Sequence, residues 1–120
     1  MKLKILIHGP KVHNVGYRYF LLNNADILGL KGFSVRNMKA NGQESVQILV
    51  DGDDCQVHEF LETVKTQQPK AAKVADITTE DYQDRVESLS RFSFRFQSLQ
   101  VSKGVESILR IEKLLSEHAQ

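Results

Sequence analysis

The sequence predicts an α+β fold in which an antiparallel sheet is covered on one face by two helices. Segments with the two-residue period of strands and segments of helical period follow one another in the order β-α-β-β-α-β-β. Between two of the strand-like segments stands Asn41-Gly42, a hairpin-turn signal because both residues tolerate positive φ. The length of 120 residues, 41% of them hydrophobic, suits one domain with a modest core.

The first strand and the first helix are the clearest elements. A strand with one buried face is predicted by the alternation of Leu3, Ile5 and Ile7, and Gly9-Pro10 ends it. From Tyr17 to Leu28 the spacing of apolar and small residues becomes that of one helix face, and Gly29 is a suitable C-terminal stop.

Two strands and a second helix follow. In the first of these strands Phe33, Val35 and Asn37 share one face, and in the second Val46, Ile48 and Val50 share one face. The acidic run 51–54 is expected to cap the helix, whose apolar face is Val57, Phe60, Leu61 and Val64, and Pro69 closes this region.

The last third of the chain is expected to hold two more strands and a helix. The fourth strand is predicted over residues 72–77 and the fifth over 90–97, where Phe92, Phe94 and Phe96 alternate; the two could be parts of one hairpin or edge. The whole order is that of the ferredoxin-like α/β sandwich. From the candidate N-cap Ser102, a third helix carries the stripe Val105, Ile108, Leu109, Ile111, Leu114 and Leu115. We therefore expect a domain at 1–98 and a helical extension at 99–120 that packs on exposed sheet or mediates self-association.

Composition narrows the class of function. The net charge of +1 provides no strong field toward nucleic acid or a membrane surface, and the longest apolar runs are too short to span a bilayer. A single cysteine, Cys55, permits no intrachain disulfide and favours a reducing, cytoplasmic setting. His8, His58 and His118 lack the spacing of metal ligands, so no metal is expected.

The segment 11–18, Lys-Val-His-Asn-Val-Gly-Tyr-Arg, joins the first strand to the first helix. Free backbone N–H groups at a helix N-terminus bind anions, and a guanidinium beside them strengthens such a site. Arg18 falls in the first helical turn, where a cation opposes the helix dipole and a bound anion would relieve the conflict. The alternative interpretation is that Arg18 is a solvated first-turn residue.

The same segment resembles the phosphate-cradle signature of the acylphosphatase family, Gly-Arg-Val-Gln-Gly-Val-x-Phe-Arg. Four further stretches resemble that family in the same order: Gly-Leu-Lys-Gly-Phe-Ser-Val-Arg-Asn at 29–37, Asn41-Gly42 before Val46, Gly52-Asp53 to Ala-Lys-Val at 72–74, and Phe-Ser-Phe-Arg-Phe at 92–96. The resemblance covers roughly residues 3–96 and implies the hydrolysis of acyl phosphates without metal or cofactor.

Residue roles are carried over from this resemblance by position. Arg18 matches the arginine that grips the phosphoryl oxygens, and Asn37 matches the asparagine that positions the attacking water. The backbone of His13, Asn14, Val15, Gly16 and Tyr17 matches the phosphate-binding cradle. The implied ligand is a small acyl phosphate or a phosphate-like anion. Asn37 near a hairpin and His13 in a loop also have purely structural interpretations.

The chain departs from the family pattern at four points. Pro10 and Asn14 replace two cradle glycines, and His13 replaces a glutamine. Ser34 is an insertion, and the stretch from Asn37 to Gly42 is also one residue longer. A bulge near Phe33 would absorb the insertion and keep Asn37 in step with Val35, whereas without a bulge Asn37 could point away from Arg18. These changes motivate a rival function, a non-catalytic module that binds anions or another protein. An RNA-binding domain of the same element order is disfavoured, because the third strand lacks stacking aromatic residues.

Overall fold

The computed structural model of the protein describes the backbone of residues 1–118 and the side chains of residues 1–39 and 41–104. The elements follow in the order β1 (Lys2–Gly9), α1 (Tyr17–Leu28), β2 (Gly32–Ala40), β3 (Gln43–Asp51), α2 (Asp54–Thr66), β4 (Asp76–Asp81) and α3 (Leu89–His118). The predicted α+β order is therefore confirmed through β4.

The four strands form one antiparallel sheet in the order β2-β3-β1-β4. This is the strand order of the ferredoxin-like sandwich, because the two strands of each β-α-β unit lie on either side of one strand of the other unit. Residues that pair across neighbouring strands point to the same face. Val35 pairs with Ile48, and Ile48 pairs with Ile5, so these buried side chains form one row of the core.

Helices α1 and α2 cover the face that carries this row. The rings of Phe33 on β2 and Phe60 on α2 meet edge to face with centroids 6.1 Å apart, and both side chains are fully buried. Leu21 of α1 is equally buried. Such burial is worth roughly 1.5–3 kcal/mol for each large apolar side chain, so this layer contributes substantially to stability.

One side chain, Gln56, connects the two helices. Asp53 caps α2 by accepting a hydrogen bond from the Gln56 N–H (2.8 Å), and the Gln56 Oε1 accepts the Asp53 N–H (3.1 Å). The Gln56 Nε2 also donates to the carbonyls of Leu28 (3.1 Å) and Gly29 (3.3 Å) at the end of α1. Both helix ends therefore have partners for backbone groups that a helix leaves unpaired.

The hairpin of β2 and β3 corrects one expectation. The ladder runs without interruption from Gly32–Asp51 to Ala40–Gln43, and the predicted bulge near Phe33 is absent within it. A two-residue turn at Asn41 (φ 52°) and Gly42 (φ 77°) closes the hairpin, as predicted. The additional residues are paired within the ladder instead of forming a bulge. Asn37 nevertheless keeps the face of Phe33 and Val35 because strand alternation alone places it there.

The fourth strand begins later than predicted. It spans Asp76–Asp81, whereas residues 72–74 make only an isolated bridge between Lys73 and Lys11. β4 is an edge of the sheet, and its acidic residues Asp76, Glu80 and Asp81 are exposed. The ammonium of Lys4 lies 3.6 Å from the Glu80 carboxylate, a solvent-exposed pair that contributes little to stability.

The predicted fifth strand over residues 90–97 is wrong. The chain makes a single bridge between Ser88 and Gly32, and α3 then begins at Leu89, well before the expected N-cap at Ser102. Phe92 and Phe96 are one helical turn apart, and their rings stack with centroids 5.8 Å apart. The guanidinium of Arg95 lies 5.2 Å from the Phe92 ring centre, whereas Phe94 is exposed. The spacing of Phe92 and Phe96 is therefore compatible with a helix as well as with a strand.

Residues Met1–Leu89 form one compact unit, and Ser90–Gln120 form a second. The apolar stripe expected at 105–115 belongs to α3, but its side chains lie outside the described residues. Among the helices of the described residues, none combines the length and the apolar character that a membrane crossing requires.

Candidate anion-binding site

The loop that leads from β1 to α1 is fixed at its beginning by residues 73–75. The Lys73 N–H donates to the Lys11 carbonyl at 2.7 Å, and the Ala75 N–H donates to the His8 carbonyl at 2.7 Å. The Lys73 carbonyl approaches Gly9 so closely that a Cβ there would overlap it. Gly9 is therefore required for close packing, and the loop leaves β1 along a defined path.

Left-handed backbone conformations shape the second part of the loop. Asn14 has φ 56° and Gly16 has φ 78°, and Val15 between them does not share the positive φ. Left-handed residues in a short loop can bring successive backbone N–H groups to one side, as they do in anion-binding nests. Asn14 therefore adopts a left-handed conformation although it carries a side chain.

Helix α1 begins in a way that leaves its N-terminus open to an anion. Its N-cap is Gly16, which provides no side-chain hydrogen bond, and its first turn contains no acidic residue. Arg18 is the second residue of the helix. The N-terminus of a helix carries a partial positive charge, and Arg18 adds a cationic residue to the same turn.

A carboxylate that sequence reasoning missed lies against the first part of the loop. The Glu44 Oε1 accepts hydrogen bonds from the N–H groups of Val12 and His13, both at 3.0 Å. These two bonds, aided by the positive charges of His13 and Lys11, hold the pKa of the Glu44 carboxyl below its usual value. Glu44 shares the face of Val46 on β3, and Gly9 is its partner on β1. In the sequence, the only local sign of this role is that Glu44 stands at the end of a strand face whose other residues are apolar.

The imidazole of His13 also contacts β3. Its Nε2 lies 2.7 Å from the Ser45 carbonyl, and since a carbonyl only accepts, this nitrogen donates. The sequence placed the His13 backbone in the cradle, and in the structure its N–H is directed to Glu44. By contrast, within the described residues the N–H groups of Asn14, Val15, Gly16 and Tyr17 have no hydrogen-bond acceptor.

Asn37 lies at the end of the sheet where the loop contacts β3. It pairs with Val46, and the loop is hydrogen-bonded to the two preceding residues of that strand, Glu44 and Ser45. The Asn37 side chain is half-buried on the helix-covered face, and no hydrogen bond to it forms within the described residues. The sheet thus brings Asn37 and the loop to the same end of the domain.

The side chain of Tyr17, at the start of α1, is buried and packs edge to face on Phe20 with centroids 6.1 Å apart. Its hydroxyl is buried and has no hydrogen-bond partner among the described residues. Burial raises the pKa of this hydroxyl, so it stays neutral. The ring anchors the helix start in the core.

Other candidate groups are scattered over the domain. Cys55 is exposed in the first turn of α2, and His8 pairs with Ser45 and Asp76 within the sheet. No cluster of three or more metal-ligating side chains occurs in the part of the chain that the structure describes. The His118 side chain lies outside the described residues.

Comparison with known proteins identifies the family. The acylphosphatase family model matches residues 3–94. An acylphosphatase of Caldivirga maquilingensis is 35% identical over 96 residues, which are 80% of this chain and 95% of the relative. One of Methanocella arvoryzae is 41% identical over 73 residues, 61% of this chain and 76% of the relative. The crystal structure of acylphosphatase from Bacillus subtilis superposes with a TM-score of 0.55 at 31% identity, covering 73% of this chain and 94% of that one.

Fold and loop together define a ferredoxin-like domain in which backbone N–H groups lie at the junction of the first strand and the first helix. With the family match across most of its length, the chain belongs to the acylphosphatase family.

Proposed function

We propose that this protein hydrolyses acyl phosphates to a carboxylate and inorganic phosphate. The observation that carries the proposal is the start of α1: a left-handed Gly16, no side-chain cap and Arg18 in the first turn. Acyl phosphates have a good leaving group, so the protein needs to supply position and charge stabilisation more than covalent chemistry.

In the proposed reaction, the phosphoryl group binds to the N–H groups of residues 14–17 and to the Arg18 guanidinium. A guanidinium holds two phosphoryl oxygens at once, which a lysine ammonium does not do with the same geometry. Asn37 orients a water molecule whose oxygen attacks phosphorus. The bond from phosphorus to the acyl oxygen breaks, the acyl group leaves as carboxylate, and the water proton passes to a phosphate oxygen. No general base is needed.

The proposal is tested by following the ultraviolet absorbance of benzoyl phosphate during hydrolysis. We expect Arg18→Ala to lower kcat/KM by about 10²–10³-fold, the usual effect of removing a transition-state donor. Asn37→Ala is expected to lower kcat by about 10²-fold, because a misplaced nucleophile costs about that much. The matched control is Arg36→Ala, which removes an exposed guanidinium next to Asn37 on the opposite face of β2.

Three outcomes separate the roles. Loss in both variants with an unaffected Arg36→Ala supports the enzyme and both assignments. Loss in Arg18→Ala alone removes Asn37 from the reaction. A wild type that does not exceed the spontaneous rate overturns the enzyme, and phosphate titration then tests the rival function, an anion-binding module without turnover.

The rival function has one observation in its favour. The Glu44 carboxylate already occupies the N–H groups of Val12 and His13, which reduces the number of donors available to a substrate. Action in the cytoplasm and self-association through the C-terminal helix remain predictions.

A further inference from the structure

We propose that Glu44 is a positioning residue: as an internal anion it holds the first half of the loop, so that a bound phosphate contacts only the second half. This inference rests on the proposed function in so far as it concerns where phosphate binds. The anchoring of the loop by Glu44 stands on the geometry alone.

The first half of the loop is held from three directions. The Val12 side chain is 1% exposed and fixes the backbone in the core. One carboxylate oxygen accepts the N–H groups of both Val12 and His13 at 3.0 Å. The His13 imidazole contacts the neighbouring strand residue, Ser45, at 2.7 Å. All three anchors originate from the sheet and its core, so this half of the loop is ordered before any ligand arrives.

The charges around Glu44 favour its ionised form. Lys11 and His13 lie on the loop side, and Lys39 is its cross-strand partner on β2. Its partner on β1 is Gly9, which carries no charge. An ionised carboxylate that accepts two N–H groups repels a phosphate from the same position, since two anions cannot share these donors. Phosphate is therefore directed to the N–H groups of residues 14–17.

The binding arm of the test is a phosphate titration of the wild type near pH 7, followed by amide resonances in NMR. We expect the amides of residues 14–17 to shift and saturate together, and those of Val12 and His13 to stay in place. If Val12 and His13 shift with the same midpoint, phosphate displaces Glu44 and the inference is overturned. If no amide shifts, the proposed phosphate site itself fails, and with it the half of the inference that concerns phosphate.

The anchoring arm needs no phosphate. In a pH titration of the free protein, the Val12 and His13 amides should report one transition on the acid side of the ordinary glutamate value of 4.5. Glu44→Gln should abolish this transition because it keeps the side-chain shape and removes the titrating group. Glu80→Gln, an exposed glutamate on β4, is the matched control and should leave the transition intact. A transition that persists in Glu44→Gln overturns the anchoring.

A third measurement separates positioning from obstruction. If Glu44 positions the loop, Glu44→Ala should weaken phosphate binding by about tenfold, as expected when a preorganised site loses its support. Glu44→Gln should bind at least as tightly as wild type, because an amide oxygen accepts the same N–H groups and does not repel phosphate. Tighter binding by Glu44→Ala than by wild type would mean that Glu44 obstructs the site, which contradicts the proposal.

Discussion

Gly16→Ala is the most informative single change in the loop, because it separates the conformational effect of an added methyl group from its steric effect. Its φ is 78°, and a Cβ built there meets no atom within 4 Å, so no steric clash contributes. Left-handed backbone costs an L residue about 1–2 kcal/mol, and the stiffer unfolded chain returns about 0.4–1 kcal/mol of this. We therefore expect a loss of about 1 kcal/mol in the free energy of unfolding.

The matched control is Gly29→Ala at the other end of α1. Gly29 has φ 69°, and its nearest neighbour would lie at an ordinary contact distance of 3.7 Å. Both variants should lose similar stability in urea unfolding, because both place alanine in the same backbone conformation. Phosphate affinity should fall by about tenfold only for Gly16→Ala, since 1.4 kcal/mol of loop strain corresponds to that factor.

Two results would refute this reasoning. Equal phosphate affinity in wild type and Gly16→Ala, with the expected loss of stability, would mean that the loop conformation is not part of the binding site. Equal loss of affinity in Gly16→Ala and Gly29→Ala would show that affinity follows global stability and that the loop has no special role.

Three further predictions concern stability and are read from urea unfolding. Tyr17→Phe should raise the free energy of unfolding by about 1 kcal/mol, because it removes a buried hydroxyl without a partner among the described residues; Tyr82→Phe, at a half-buried residue, should change little. Gln56→Ala should cost about 2 kcal/mol through three lost hydrogen bonds, whereas the exposed Gln67→Ala should stay within about 0.5 kcal/mol. Because the folded pKa of Glu44 is lowered, its carboxylate stabilises the protein above about pH 4.5 and loses that contribution as the pH falls through the folded pKa. Glu44→Gln should therefore show a smaller loss of stability on acidification than wild type, and parallel curves would contradict this.

The sequence predicted correctly the features that are specified by residues close together along the chain. Asn41-Gly42 indicated the two-residue turn, and Gly29 indicated the end of α1 in a left-handed conformation, both of which the structure contains. The start of α1 at Tyr17 was predicted from the helical period alone. In each case the residues that specify the feature are near neighbours in the sequence.

The errors arose where one pattern satisfies two structures. Phe92 and Phe96 share a strand face at even spacing and also share a helix face at i and i+4, so periodicity could not distinguish the two. The inserted Ser34 suggested a bulge, but pairing along β3 absorbed the extra length.

Glu44 was missed for a different reason. It contacts Val12 and His13 across more than 30 positions of sequence, and only the register of β1 with β3 brings them together. No local pattern marks a carboxylate whose partners are backbone N–H groups on a distant loop.

The acidic edge of the sheet has a consequence for assembly. A free edge strand offers unpaired backbone groups to another chain, and proteins prevent such pairing by placing charges there. With Asp76, Glu80 and Asp81 exposed along β4, two copies that paired this strand with itself would bring two acidic strands together. The strand that completes the sheet therefore also discourages the growth of an intermolecular sheet through pairing of β4 with its own copy.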